Sequence, residues 1–101
     1  MLDVKKITEE VAGGEAVLLD VRGDAEWNEG HAAPAIQYEY PKLERGEMPD
    51  IPKDKKIYTM CNMGGRAGRA KTILEKEGFT NVESAKGLIQ WKDAGGEVLK
   101  G

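Results

Sequence analysis

The longest apolar run, Ala16-Val-Leu-Leu-Asp-Val21, is almost unbroken, the pattern of a strand buried on both faces of a parallel sheet. Lys56-Ile-Tyr-Thr-Met60 predicts a second strand, and Cys61 follows it at once. Ala35–Gln37 and Phe79–Ser84 read as shorter strands, while Val4–Ile7 and Glu97–Leu99 read as brief extended pieces. Between them lie helical patterns. Thr8 is placed to cap a turn over Glu9–Ala12, which Gly13-Gly14 ends. Asp24–Asn28 predicts a short helix with Gly30 just past its end. Pro34, Pro41, Pro49 and Pro52 punctuate a long connection that holds one helical turn at Leu43–Gly46. Arg66–Glu77 predicts the main helix, with Ala67, Ala70, Ile73 and Leu74 on one face and Gly78 as its stop. Leu88–Ala94 predicts the last. Alternating strands and helices indicate an α/β domain with a mostly parallel sheet, whose ligands bind at the carboxyl ends of the strands. Cys61 falls at such an end.

The 101 residues suit one domain spanning the chain, with 40% hydrophobic and 33% charged residues. A net charge of −3 offers no basic footprint for nucleic acid. No apolar run approaches the ~20 residues that cross a bilayer. The start, MLDVKKITEEV, lacks the pattern of a secretory leader, so the expected location is cytoplasmic. A single cysteine excludes an internal disulfide framework, and a single histidine thirty residues from it fits no common zinc spacing. Neither a metal nor a cofactor is expected.

The chemistry lies in the order strand, Cys61, Asn62-Met63-Gly64-Gly65, Arg66, helix. Successive backbone N–H groups curling above a helix N-terminus form a nest with partial positive charge. Gly64 and Gly65 permit that curl, and the nest favours a thiolate, the reactive form of cysteine. Arg66 adds a full charge nearby. A lone intracellular cysteine is more often a small buried hydrophobe, but cysteine, glycines and arginine here stand together at a strand-to-helix junction.

These residues resemble the rhodanese family along nearly the whole chain. Leu18-Leu19-Asp20-Val21-Arg22 is similar to its first strand, and Glu26-Trp27-Asn28-Glu29-Gly30-His31 to its short helix with Gly-His. Ile51-Pro52-Lys53-Asp54-Lys55-Lys56-Ile57-Tyr58 resembles the lead-in to the catalytic strand, Cys61 to Arg66 the active-site loop, and Gly87-Leu-Ile-Gln-Trp91 with Gly95 the terminal helix. The resemblance implies a parallel sheet of about five strands with helices on both faces. It implies a thiosulfate sulfurtransferase in which Cys61 takes sulfur from a small anionic donor such as thiosulfate and passes it, as a persulfide, to cyanide or a thiol. A sulfur-relay module that docks a protein partner and a cysteine redox sensor are the alternatives. Related phosphatases and arsenate reductases separate cysteine and arginine by five residues; the four between Cys61 and Arg66 make a tighter loop that favours sulfur over phosphate.

The sequence departs from that pattern in places. Pro34 follows two alanines in His31-Ala32-Ala33-Pro34-Ala35, and Ala67 stands where a hydroxyl residue often follows the arginine. Lys86 occupies a position where glycine often precedes Gly87, and Asn62 and Met63 are neutral where thiosulfate-preferring members can carry basic residues. Asp20 and Arg22 are expected to support the loop, Asp20 by hydrogen bonds and Arg22 by its field or as half of a structural ion pair. His31 is read as a structural hydrogen-bonding residue rather than a general base. Trp91 is read as core or as a pocket wall, and Arg69 as an anion-attracting or a solvated helix-face charge.

Overall fold

The computed structural model describes residues 1–101. In chain order the elements are α1 (Val4–Ala12), β1 (Ala16–Asp20), α2 (Asp24–Glu29), β2 (His31–Ala32), β3 (Ala35–Gln37), α3 (Tyr40–Glu44), β4 (Lys56–Cys61), α4 (Gly65–Lys76), β5 (Val82–Gly87), α5 (Leu88–Asp93) and β6 (Val98–Leu99). Four strands form a parallel sheet in the order β3-β1-β4-β5. The strand count is one below the five or so that the resemblance implied. The last extended piece does not join this sheet; Val98–Leu99 pairs antiparallel with His31–Ala32 in a separate ribbon.

Side chains alternate across the sheet with the period of two that strands impose. Leu19 and Val21 of the first run, with Ile57 and Cys61 of the second, face a cluster completed by Leu43, Ala67, Ala70, Leu74 and Phe79. Ala16 and Leu18, with Tyr58 and Met60, face the opposite cluster with Ile7, Leu88 and Trp91. Helices α3 and α4 therefore cover one face, and α1 and α5 the other. Both faces being buried is why the two central strands read as nearly continuous apolar runs. Because alternation puts Cys61 on the α4 face, its side chain lies beneath the start of that helix.

Three elements differ from the sequence reading. Val4–Ile7 is helical, not extended, and the cap is Asp3, whose Oδ1 accepts the Lys6 N–H at 3.1 Å. Val4, Ile7 and Val11 recur at helical spacing and pack into the core, a period that outweighs the β-branched character of the first residues. Helix α1 is then held against the sheet by the Tyr58 hydroxyl, which donates to Glu10, and by Lys56 at 3.4 Å from the same carboxylate. Strand β5 starts three residues later than expected. Phe79 is spent as a core plug, and the Thr80 N–H donates to the Lys53 carbonyl, outside the ladder. Helix α3 begins at Tyr40, earlier than Leu43, with Pro41 in its first turn where a missing N–H costs nothing.

The capping assignment is testable by chemical denaturation. Asp3→Ala is expected to lose about 1 kcal/mol of stability, while Thr8→Ala, inside α1, is expected to change it little.

Candidate active site

Cys61 is the last residue of β4 and is 1% exposed. Its Sγ accepts the Gly64 N–H at 3.0 Å and lies 3.8 Å from the Lys86 carbonyl, to which the thiol donates. Gly64 caps α4 with φ at 116°, a left-handed angle that turns the chain back over the sulfur. The N–H groups of Asn62 and Met63 have no protein partner. Once the thiol gives up its proton, the Gly64 N–H and the positive end of the 12-residue helix α4 remain to hold the charge. Thr59, buried one turn of the pleat below, ties the start of the helix to the strand by donating from Oγ1 to the Ala67 carbonyl at 2.8 Å.

The loop is shaped from its other side by the β5–α5 junction. Between Thr59↔Ser84 and Cys61↔Gly87 the ladder advances two residues on β4 and three on β5, so β5 carries a bulge. Lys86 sits in that bulge at φ 63°, a conformation in which glycine is the usual occupant. Gly87 has no space for a side chain: a Cβ there would collide with the carbonyl of Asn62 and the amide nitrogen of Met63. The Asn62 carbonyl also accepts the Ile89 N–H at 3.3 Å, which pins the loop to α5.

Arg66 does not aim its charge at the sulfur alone. Its Nη1 and Nη2 each donate to one oxygen of Glu26, both at 2.8 Å, in a bidentate pair with α2. The hydrogen bonds from Arg66 hold the Glu26 carboxyl below its ordinary value of 4.5, and the same bonds raise the guanidinium of Arg66. Glu26 opens the stretch Glu26–His31, and the sequence alone assigns it no role. Forty residues separate the partners, and nothing local announces the pairing.

Asp20 and Arg22 are both buried and bind each other. Arg22 donates from Nε and Nη2 to both Asp20 oxygens at 2.8–3.1 Å, and its backbone N–H adds a third donor at 3.0 Å. The expectation that Asp20 hydrogen-bonds the Cys61 loop is corrected: its side-chain oxygens are taken by Arg22. Two buried charges are tolerable only in such a pair, and removing one member of a pair like this typically costs about 3–5 kcal/mol. Arg22 Nη2 also donates to the Gly30 carbonyl at 2.7 Å, which anchors the end of α2. Support therefore reaches the loop indirectly, through α2 and Glu26.

His31 stacks on Trp27 at 3.7 Å between centroids, and its Nδ1 lies 3.0 Å from the Trp27 carbonyl. It is not among the residues lining the cavity over Cys61. Trp91 is fully buried in the cluster beneath α5, with Nε1 donating to the Glu97 carbonyl at 2.9 Å, and it walls no cavity. Arg69 does reach the site. A cavity of about 250 Å³ opens over Cys61 and is lined by Asn62, Met63, Gly65, Arg66 and Arg69. A second of similar volume lies on the far side of Asn62, between Arg22, Glu26, Glu29 and Lys92. A larger polar hollow over α1 contains no residue of the loop.

A parallel α/β sheet with a cysteine-centred loop closing onto a helix N-terminus defines a class, and residues 3–94 match the Rhodanese-like domain model: the chain belongs to that family. It is 34% identical over 94 residues to the tRNA uridine(34) hydroxylase of Acinetobacter baumannii (strain AYE), an alignment covering 87% of this chain and 30% of that protein. The chain thus spans about 30% of the length of that relative. It is 32% identical over 84 residues to the thiosulfate sulfurtransferase PspE of Escherichia coli (strain K12), covering 82% of this chain and 78% of the other. The solved rhodanese with anions from E. coli superposes with a TM-score of 0.72 at 32% identity, over 85% of this chain and 99% of its own.

Two outcomes follow from the loop's surroundings. Gly87→Ala, which forces backbone apart, is expected to cost about 3 kcal/mol by denaturation, whereas Lys86→Gly, which relieves the left-handed angle, is expected to gain up to about 1 kcal/mol. The Glu26–Arg66 pair sets an acid response. A carboxyl held below 4.5 stabilises the fold above that pH and loses its contribution as the pH falls through its lowered value. The stability difference between wild type and Glu26→Gln should therefore be flat from neutral pH down to about 5.5 and shrink below 4.5.

Proposed function

We propose that this domain is a sulfurtransferase of the thiosulfate type and that Cys61 is its sulfur carrier. The observation that carries the reading is the Gly64 N–H at 3.0 Å from Sγ, at the floor of a cavity open to a small molecule. In the first step the Cys61 thiolate attacks the outer sulfur of thiosulfate. An S–S bond forms as the donor's S–S bond breaks, and sulfite leaves with the electron pair. In the second step cyanide, or a thiolate, attacks the outer sulfur of the Cys61 persulfide, taking it as thiocyanate or a new persulfide and returning the Cys61 thiolate. No net oxidation or reduction of the protein occurs over the cycle.

The persulfide keeps one negative charge and lengthens the side chain by one atom. The loop from Asn62 to Arg66 supplies the backbone donors that hold it, and each such donor is worth ~3 kcal/mol in a preorganised site. Burial of Cys61 admits a slender donor and keeps bulky electrophiles out. Likeness to the thiosulfate sulfurtransferase PspE supports the same chemistry. The hydroxylase relative is about three times as long, and the shared part is the family domain, so its likeness supports sulfur handling rather than its whole activity.

A second reading, a relay module that exchanges sulfur with a protein, is favoured by Met63, which stands 70% exposed at the lip of the cavity. Steady-state thiocyanate formation from thiosulfate and cyanide separates the two. The enzyme reading predicts parallel double-reciprocal lines, the mark of a two-step exchange, and complete loss in Cys61→Ser. Turnover too slow to measure, with rapid loading from a protein persulfide, would favour the relay instead.

A further inference from the structure

Two arginines line the cavity over Cys61, and they differ in what they already hold. Arg66 is engaged by Glu26 through both terminal nitrogens, so the pair brings little net charge to the cavity. Arg69 has no carboxylate partner. Its guanidinium stands over the Tyr40 ring at 5.6 Å, and its Nη1 lies 3.8 Å from the point where a Cβ on Gly65 would stand, at the mouth of the loop. The loop's own side chains, Asn62 and Met63, are neutral. The net positive charge facing an incoming donor is therefore that of Arg69.

We infer that Arg69 is the specificity-determining residue of the donor site: its guanidinium binds the oxyanion end of a dianionic sulfur donor while the donor's terminal sulfur points at Cys61 Sγ. The inference rests on the sulfurtransferase reading above. Packing against Tyr40 orders a side chain that would otherwise be free in solvent, and a planar guanidinium offers paired N–H donors to two oxygens at once. Arg69 thus takes the place of basic residues within the loop. Its position on the second turn of α4 keeps it clear of the sulfur, so it discriminates between donors without obstructing attack.

Thiosulfate, with two charges, and methanethiosulfonate, with one, provide the comparison. Arg69→Gln is expected to raise KM for thiosulfate about tenfold, the scale of one hydrogen-bonded charge contact, while kcat changes less than twofold. The rise should be smaller for methanethiosulfonate, and Arg69→Lys should recover part of the loss. An unchanged KM for thiosulfate, or an equal rise for both donors, overturns the inference. Binding supplies an arm that does not need turnover. Sulfate titrated into Cys61→Ser, followed by the amide resonances of Asn62 to Arg66, should bind about tenfold more tightly than in Cys61→Ser/Arg69→Gln. Equal sulfate affinity in the two overturns the inference whatever the activity. Absence of any persulfide in wild type, with Arg69-dependent sulfate binding intact, would remove the sulfurtransferase reading and leave Arg69 as an anion-binding residue.

Discussion

The loop around Cys61 has its shape because the peptide joining Asn62 to Met63 runs directly against Gly87, with no room for a side chain between them. This backbone contact brings the end of β4 and the start of α5 together, and the bulge in β5 places Gly87 there. Once the peptide is fixed, Gly64 must turn with a positive φ to enter α4, and that turn points its N–H at the sulfur. The donor geometry at Cys61 is thus a consequence of main-chain packing. Lys86 bears the strain of the arrangement, held at φ 63° by the strands around it.

Charge around the site is arranged in pairs that work at a distance from the sulfur. Asp20 neutralises Arg22 within the core, Arg22 anchors Gly30, and α2 thereby presents Glu26 to Arg66. Helix α2 has no buried residue of its own and no side-chain cap, so these bonds and the Trp27–His31 stack position it. The result is a cavity whose helix end and backbone donors are positive, whose loop arginine is balanced, and whose one unpaired arginine stands at the rim. Such a layout suits chemistry in which charge arrives on a small anion and leaves on another.

Much of this was legible in the sequence. The runs at 16–21 and 56–60, the three residues Ala35–Gln37 and the apolar face of 67–74 identified the central strands and the main helix, because burial on both sides of a sheet leaves a continuous apolar record. The position of Cys61 at the end of a strand, and the likeness of its loop to a known family, followed from the same stretch. What escaped is long-range or conformational. The two-residue strand His31–Ala32 carries no period to read, and the extended piece at 97–99 gave no sign that it pairs there rather than in the main sheet. Val4–Ile7 contains β-branched residues that a short window takes for a strand, though Val11 completes a helical face. Lys86 stands where glycine is frequent in the family, but only the backbone shows that it takes a left-handed angle. The Glu26–Arg66 pairing, across forty residues, depends on which elements meet in space. The ion pair expected as one role for Arg22 forms with Asp20, two residues away, and it is this local pairing that takes Asp20 from the loop.

The central claim is that Cys61 carries sulfur, and intact mass addresses it most directly. Reduced protein incubated with thiosulfate should gain the mass of one sulfur atom, lose it on addition of cyanide, and show no gain as Cys61→Ser. A wild-type mass that stays unchanged with thiosulfate and with a protein persulfide donor would contradict the account, leaving the fold and its N–H-lined loop in place but without the chemistry assigned to them.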